Sequence, residues 1–168
     1  SAVTAALAAS SPTDQATDER RVLIVDDEPA LRDIQRRFLA KIGIRTLLAK
    51  DAAEAIAILE RERCDAVVTD IRMPPTHTDE GLRAAEAIRA EHGTAVGILV
   101  LSQHVEPSFA LRLVSDGAGG VGYLLKDRVE DLDDFADSVR RIGRGGSVID
   151  PSVVAVLAGL GIGYWLAR

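Results

Sequence analysis

The chain has one cysteine, Cys64, so neither an internal disulfide nor a cysteine-based zinc site can form. A lone thiol fits a reducing compartment, and a cytoplasmic location is expected. Aromatic residues are only 4% of the chain, so the core has to be built from Ala, Val, Ile and Leu. There is no excess of positive charge: 20 Lys and Arg stand against 26 Asp and Glu, a net charge of −6. That balance disfavours binding to a nucleic-acid backbone, which needs a clustered positive excess. The three histidines, His77, His92 and His104, lack any helical ligand spacing and are expected in loops or in solvent. Residues 1–20 lack the basic start of a secretory signal; small and polar, they are expected to be a leader or linker. The chain opens on Ser1 rather than Met, so the native start is expected upstream. What remains is ordinary for a folded domain: 47% hydrophobic and 27% charged residues over 168 positions.

From Arg21 onward, short aliphatic runs alternate with longer amphipathic stretches, the pattern of a parallel sheet covered by crossover helices. The runs are Val22–Val25, Ile44–Leu48, Ala66–Thr69, Ile98–Leu101 and Val121–Leu125. Most are almost continuously apolar, as strands buried on both faces must be. The first helix is expected to start at Pro29, bury Leu31, Ile34, Phe38 and Ile42, and stop at Gly43. Asp51 and Glu54 stand at capping-box spacing before the second. A third, from about Glu80 to Glu91, carries Leu82, Ala85 and Ile88 on one stripe. A fourth begins near Pro107 with Phe109, Leu113 and Val114. The fifth has Leu132, Phe135, Val139 and Ile142 and stops at Gly143. The fold class is α/β.

In open parallel sheets, ligands bind beyond the carboxyl ends of the strands. The first run is followed by Asp26, Asp27 and Glu28, the third by Asp70, the fourth by Ser102 and the fifth by Lys126. A single Asp after a strand is normally a cap or turn residue. Acids, a hydroxyl and an ammonium converging on one edge are harder to explain that way. Three close carboxylates resist full ionisation unless a cation sits among them. An all-oxygen set without Cys or His suits Mg²⁺. Mg²⁺, Lys126 and Ser102 around Asp70 make a site for an incoming phosphoryl group, with Asp70 as nucleophile.

The segments VLIVDDE, VVTDIRMP, ILVLSQ and GYLLKD, in that order, resemble the response-regulator receiver domains of two-component signalling. GYLLKD followed by RRIGRGGSVIDPSVV is similar to the NarL/FixJ-type (LuxR-class) subfamily, which usually carries a C-terminal helix-turn-helix. The resemblance runs from about Arg21 to Gly146. It implies a flavodoxin-like doubly wound sheet of five parallel strands in the order 2-1-3-4-5, with five helices. It makes Asp70 the phosphoacceptor, with Mg²⁺ held by Asp26 (through a water), Asp27, Asp70 and the backbone carbonyl of Arg72. Lys126 and Ser102 would contact the phosphoryl group, Tyr123 would be the aromatic switch, and a sensor histidine kinase would be the donor. The implied module is a switch rather than a turnover enzyme, with self-phosphorylation and self-dephosphorylation at most.

Two alternatives compete with that reading. A hydrolase of the haloacid-dehalogenase type also uses an Asp nucleophile after a strand, but needs a second Asp two positions later, where this chain has Arg72 and Glu28. A receiver-like interaction module that is never phosphorylated is opposed by the complete set of Asp26, Asp27, Asp70, Ser102 and Lys126. Asp70 and Gly81 lie eleven positions apart, longer than the family commonly has, so PPTHTDEG is expected to lengthen the loop beside the site. Asp127 follows Lys126 where many receivers have Pro, so a cis-Pro cannot form there. Arg36, Arg37, Lys41 and Arg140, Arg141, Arg144 read as solvated helix ends.

After Gly146 only 22 residues remain, too few for a helix-turn-helix, so this chain is not expected to bind DNA directly. Residues 147–168 are expected to form an extra apolar helix or linker, starting at Pro151. Val153–Ala167 contains no charge, yet a helix of that length is about 22 Å long, short of the roughly 30 Å needed for a membrane span. Such a helix has to bury itself on its own domain or on a second copy, and a homodimer is expected.

Overall fold

The structure, a computed structural model, describes residues 20–115 and 117–159. The expected leader therefore lies almost wholly outside the described residues, as does the end of the apolar tail. Six strands, β1 (Arg21–Val25), β2 (Arg45–Ala49), β3 (Ala66–Asp70), β4 (Gly97–Ser102), β5 (Val121–Leu125) and β6 (Val148–Ile149), form one sheet. Six α-helices accompany them: α1 (Pro29–Ala40), α2 (Ala52–Arg61), α3 (Glu80–His92), α4 (Pro107–Val114), α5 (Leu132–Gly143) and α6 (Pro151–Gly159). A 3₁₀ turn spans Lys126–Glu130. All pairings are parallel and the order is β2-β1-β3-β4-β5-β6.

The α/β class and the order 2-1-3-4-5 are those expected, with one correction: a sixth strand extends the sheet. Val148 pairs with Gly122 and Ile149 with Tyr123, so two residues beyond Gly146 join the β5 edge. Two residues carry no readable periodicity, which is why the strand was not expected from the sequence. The second strand also sits one residue later than Ile44–Leu48.

The strands are apolar on both faces because helices cover both. One layer joins Leu23, Val25, Val67, Val100 and Tyr123 to α2, α3, α4 and α6; the other joins Val22, Ile24, Val68, Leu99 and Leu101 to α1 and α5. Each such buried aliphatic side chain contributes about 1.5–3 kcal/mol relative to exposure. The α1 helix differs from its expected stripe: Gln35 and Leu39 are buried most deeply, while Leu31, Ile34, Phe38 and Ile42 are half-buried. Its apolar arc is wide, and the helix rests on one flank of that arc. Gly43 ends the helix region at φ +81°, a conformation glycine adopts without penalty.

The second helix starts as the sequence predicts, with the Asp51 carboxylate accepting from the Glu54 amide; the structure adds an equivalent cap at α5, where Asp131 accepts from the Asp134 amide. Cys64 is buried, and burial pushes its thiol up to about 11, making it an inert small hydrophobe. The α6 helix docks on the α4 side through Val153 and Leu157, both in the core, and leaves Val154 and Val156 exposed. No helix among the described residues is long and apolar enough to cross a membrane.

Candidate functional site

The crossovers change direction between β1 and β3, which opens a crevice at their carboxyl ends. Asp26 and Asp27 follow β1, and Asp70 ends the fully buried β3. One carboxylate oxygen from each of the three lies within 4.8 Å of the others. From β5, one strand beyond β4, the Lys126 ammonium donates to Asp70 Oδ2 at 2.9 Å. A cavity of about 320 Å³ opens here, with Asp27, Asp70, Ser102 and Lys126 among its walls.

Burial and like charge govern the electrostatics of the cluster. Asp26 is 1% exposed; its Oδ1 accepts from the Glu28 amide at 2.9 Å, but Oδ2 has no hydrogen-bond partner. Burial, with the neighbouring Asp70 and Asp27 charges, drives its carboxyl up to about 6. Burial also raises Asp70, and the opposing Lys126 ammonium does not fully offset it. A buried acceptor without a donor, beside two more carboxylates, is what a hard divalent cation would satisfy. The oxygen-only donor set thus fits Mg²⁺.

Ser102 ends β4 at the same edge, with its hydroxyl committed elsewhere: Oγ donates to the His104 carbonyl at 2.7 Å. The Tyr123 hydroxyl donates to that carbonyl too, at 3.1 Å, and accepts from the Glu106 amide at 3.3 Å. Tyr123 is 0% exposed, so it is a fully buried strand tyrosine whose polar tip is satisfied by the β4–α4 turn. Arg72, two positions after Asp70, turns its guanidinium to Glu106, at the start of α4, and lies 6.0 Å from the Phe109 ring centre. The three residues Arg72, Ser102 and Tyr123 therefore all engage the turn leading into α4.

The loop between β3 and α3 is held by its own hydrogen bonds. It contains the cis peptide Pro74-Pro75, the only cis bond among the described residues. The buried Glu80 carboxylate accepts from the Thr76 amide and hydroxyl and from the Thr78 amide. Burial would raise its pKa, but these bonds outweigh it and hold the group at about 2. His77, expected only as a loop residue, stands with Nε2 3.4 Å from Asp27 Oδ2. Nothing in its spacing announced that approach; the available signal was Glu80 within reach of two threonines that flank His77. His92 ends α3, and His104 reaches the site through its backbone carbonyl and lines the cavity.

Comparison with known proteins matches residues 22–137 to the response regulator receiver domain model, and the chain belongs to that family. It is similar to the transcriptional regulatory protein DegU of Brevibacillus brevis, 30% identical over 135 residues, 79% of this chain and 54% of that protein. It is also similar to the response regulator MprA of Mycobacterium sp. (strain KMS), 37% identical over 106 residues, 63% of this chain and 44% of that protein. Among solved structures, a LuxR-family two-component response regulator from Aurantimonas sp. SI85-9A1 superposes with a TM-score of 0.71 at 26% identity. It covers 86% of this chain and 99% of that one. The likeness to DegU and to the LuxR-family structure agrees with the NarL/FixJ-type features of the sequence. The chain spans about half the length of these curated relatives.

Proposed function

We propose that this chain is the phosphoacceptor module of a two-component response regulator, with Asp70 as the acceptor. The observation that carries the reading is the Lys126–Asp70 contact at 2.9 Å beside the unpartnered Asp26 Oδ2. A sensor histidine kinase is the donor. An Asp70 carboxylate oxygen attacks the phosphorus of a phosphohistidine, the P–N bond breaks, and its electron pair returns to the imidazole nitrogen, which takes up a proton. Lys126 neutralises charge on the transferred group, and Ser102 leaves the His104 carbonyl to donate to it. Tyr123, bound to the same carbonyl, carries that change to the α4 turn.

Asp26, Asp27, Asp70 and the backbone carbonyl of Arg72 are the residues that would hold Mg²⁺, Asp26 through a water. When bound, Mg²⁺ supplies charge neutralisation for the acids and the phosphoryl oxygens. The hydrolase alternative lacks its second acid, since Arg72 occupies that position and pairs with Glu106. The module is a switch in the cytoplasm rather than a turnover enzyme. Its partner contacts include a second copy of itself, through the exposed Val154 and Val156 side of α6.

Intact-mass measurement after acetyl phosphate and Mg²⁺ tests the reading. One added phosphoryl group on the wild type, absent from Asp70→Asn, supports it; equal labelling of both removes Asp70 from the role.

A further inference from the structure

We propose that His77 is a fourth donor at the acidic site, biasing it toward divalent cations that accept nitrogen, such as Co²⁺ and Zn²⁺, relative to Mg²⁺. The proposal rests on the reading that Asp26, Asp27 and Asp70 hold a divalent cation.

Its first support is position. His77 Nε2 lies 3.4 Å from Asp27 Oδ2, and His77 lines the same cavity as Asp70 and Lys126. Two donors sharing one cation at about 2.1 Å each stand about 3 Å apart, so little movement brings this pair onto a common ion. The side chain, 57% exposed, is free to make it.

Its second support is construction. Among the described residues, His77 is the only non-glycine at positive φ, +53°. That conformation costs roughly 1–2 kcal/mol for an ordinary L residue and persists only where the surroundings impose it. Here they do. The His77 amide donates to the Met73 carbonyl at 2.8 Å, and Glu80 grips Thr76 and Thr78 on either side. The Gly81 amide then ties the loop to the Ile71 carbonyl at 2.8 Å, directly beside Asp70. The insertion is a wall of the acidic pocket, and His77 is the side chain it offers to Asp27.

The chemistry follows from donor type. Mg²⁺ takes oxygen almost exclusively, whereas imidazole raises affinity for the later first-row cations. An imidazole donor next to three carboxylates therefore adds nothing for Mg²⁺ and much for Co²⁺ or Zn²⁺.

Titration calorimetry of the wild type and His77→Asn with CoCl₂ and MgCl₂ tests this, Asn being tolerant of the left-handed backbone. The expected result is about a tenfold loss of Co²⁺ affinity with Mg²⁺ affinity unchanged. The proton NMR spectrum of the wild-type Co²⁺ complex should also show a hyperfine-shifted exchangeable imidazole N–H signal that the variant lacks. Equal Co²⁺ affinities, or no such signal, overturn the role of His77 while leaving intact Mg²⁺ binding to the acids. A wild type that binds neither cation overturns the metal-site reading as well.

Discussion

Gly81 packs against the main chain of Asp70 so closely that a Cβ on it would lie 1.7 Å from the Asp70 carbonyl oxygen. The first turn of α3 and the end of β3 share one space that only glycine leaves open. Gly81→Ala must push the acceptor strand end or the loop outward, at a cost of about 3 kcal/mol or more. Urea denaturation should show that loss, and phosphorylation of Asp70 should fall with it. A variant with wild-type stability would mean that the contact relaxes without moving Asp70.

The raised Asp26 carboxyl makes the cation-free protein sensitive to pH in an unusual direction. With its folded value near 6, the native state keeps a proton through a range where the unfolded chain has lost it. Stability therefore falls as pH rises from about 4 to about 6, by up to about 3 kcal/mol from this group. Asp26→Asn should flatten that fall in denaturation curves recorded in EDTA. Mg²⁺ should restore wild-type stability near neutral pH and do much less for the variant. An identical pH dependence in both proteins would show that Asp26 ionises freely.

What the sequence revealed and what it hid divide along physical lines. Asp26, Asp27, Asp70, Ser102 and Lys126 were readable because each follows a continuous aliphatic run, and parallel strands deliver such residues to one edge. The Asp51 cap was readable for a similarly local reason, the three-residue spacing to Glu54. The His77 approach depends on a positive φ and on a buried Glu80, neither of which leaves a periodic trace. The α1 face was misjudged because Ile34 and Phe38 are more apolar than Gln35, yet the sheet contact favours the Gln35–Leu39 flank. Strand β6 is too short for any pattern.

Asp150 is the anchor of that last segment. It is 0% exposed and accepts from the Leu125 amide, the Ser152 amide and the Arg128 guanidinium, while its own amide donates to the Tyr123 carbonyl. Burial would raise its carboxyl, but Arg128 and the two amides outweigh it and hold it low. Asp150→Ala leaves these donors without a partner and should cost about 2–3 kcal/mol. Because the folded value is depressed, the contribution is present above about pH 4 and fades as pH falls further. Thermal melts of wild type and Asp150→Asn should therefore converge in acid. A gap of constant size at every pH would assign the stabilisation to shape rather than to charge.

The apolar helix α6 has a buried side, with Val153 and Leu157, and an exposed side, with Val154 and Val156. Leu157 is 7% exposed and packs in the core with α4, so Leu157→Ala should destabilise the domain by about 2–4 kcal/mol. Val154 is 50% exposed, and Val154→Ser should change stability by no more than about 0.5 kcal/mol. If the exposed side joins two copies, that same substitution should lower the mass seen by light scattering toward the monomer. Deleting residues 152–168 should produce both effects together, a lower melting temperature and a monomer. A Val154→Ser protein with unchanged mass would confine the helix to its intramolecular contact on α4.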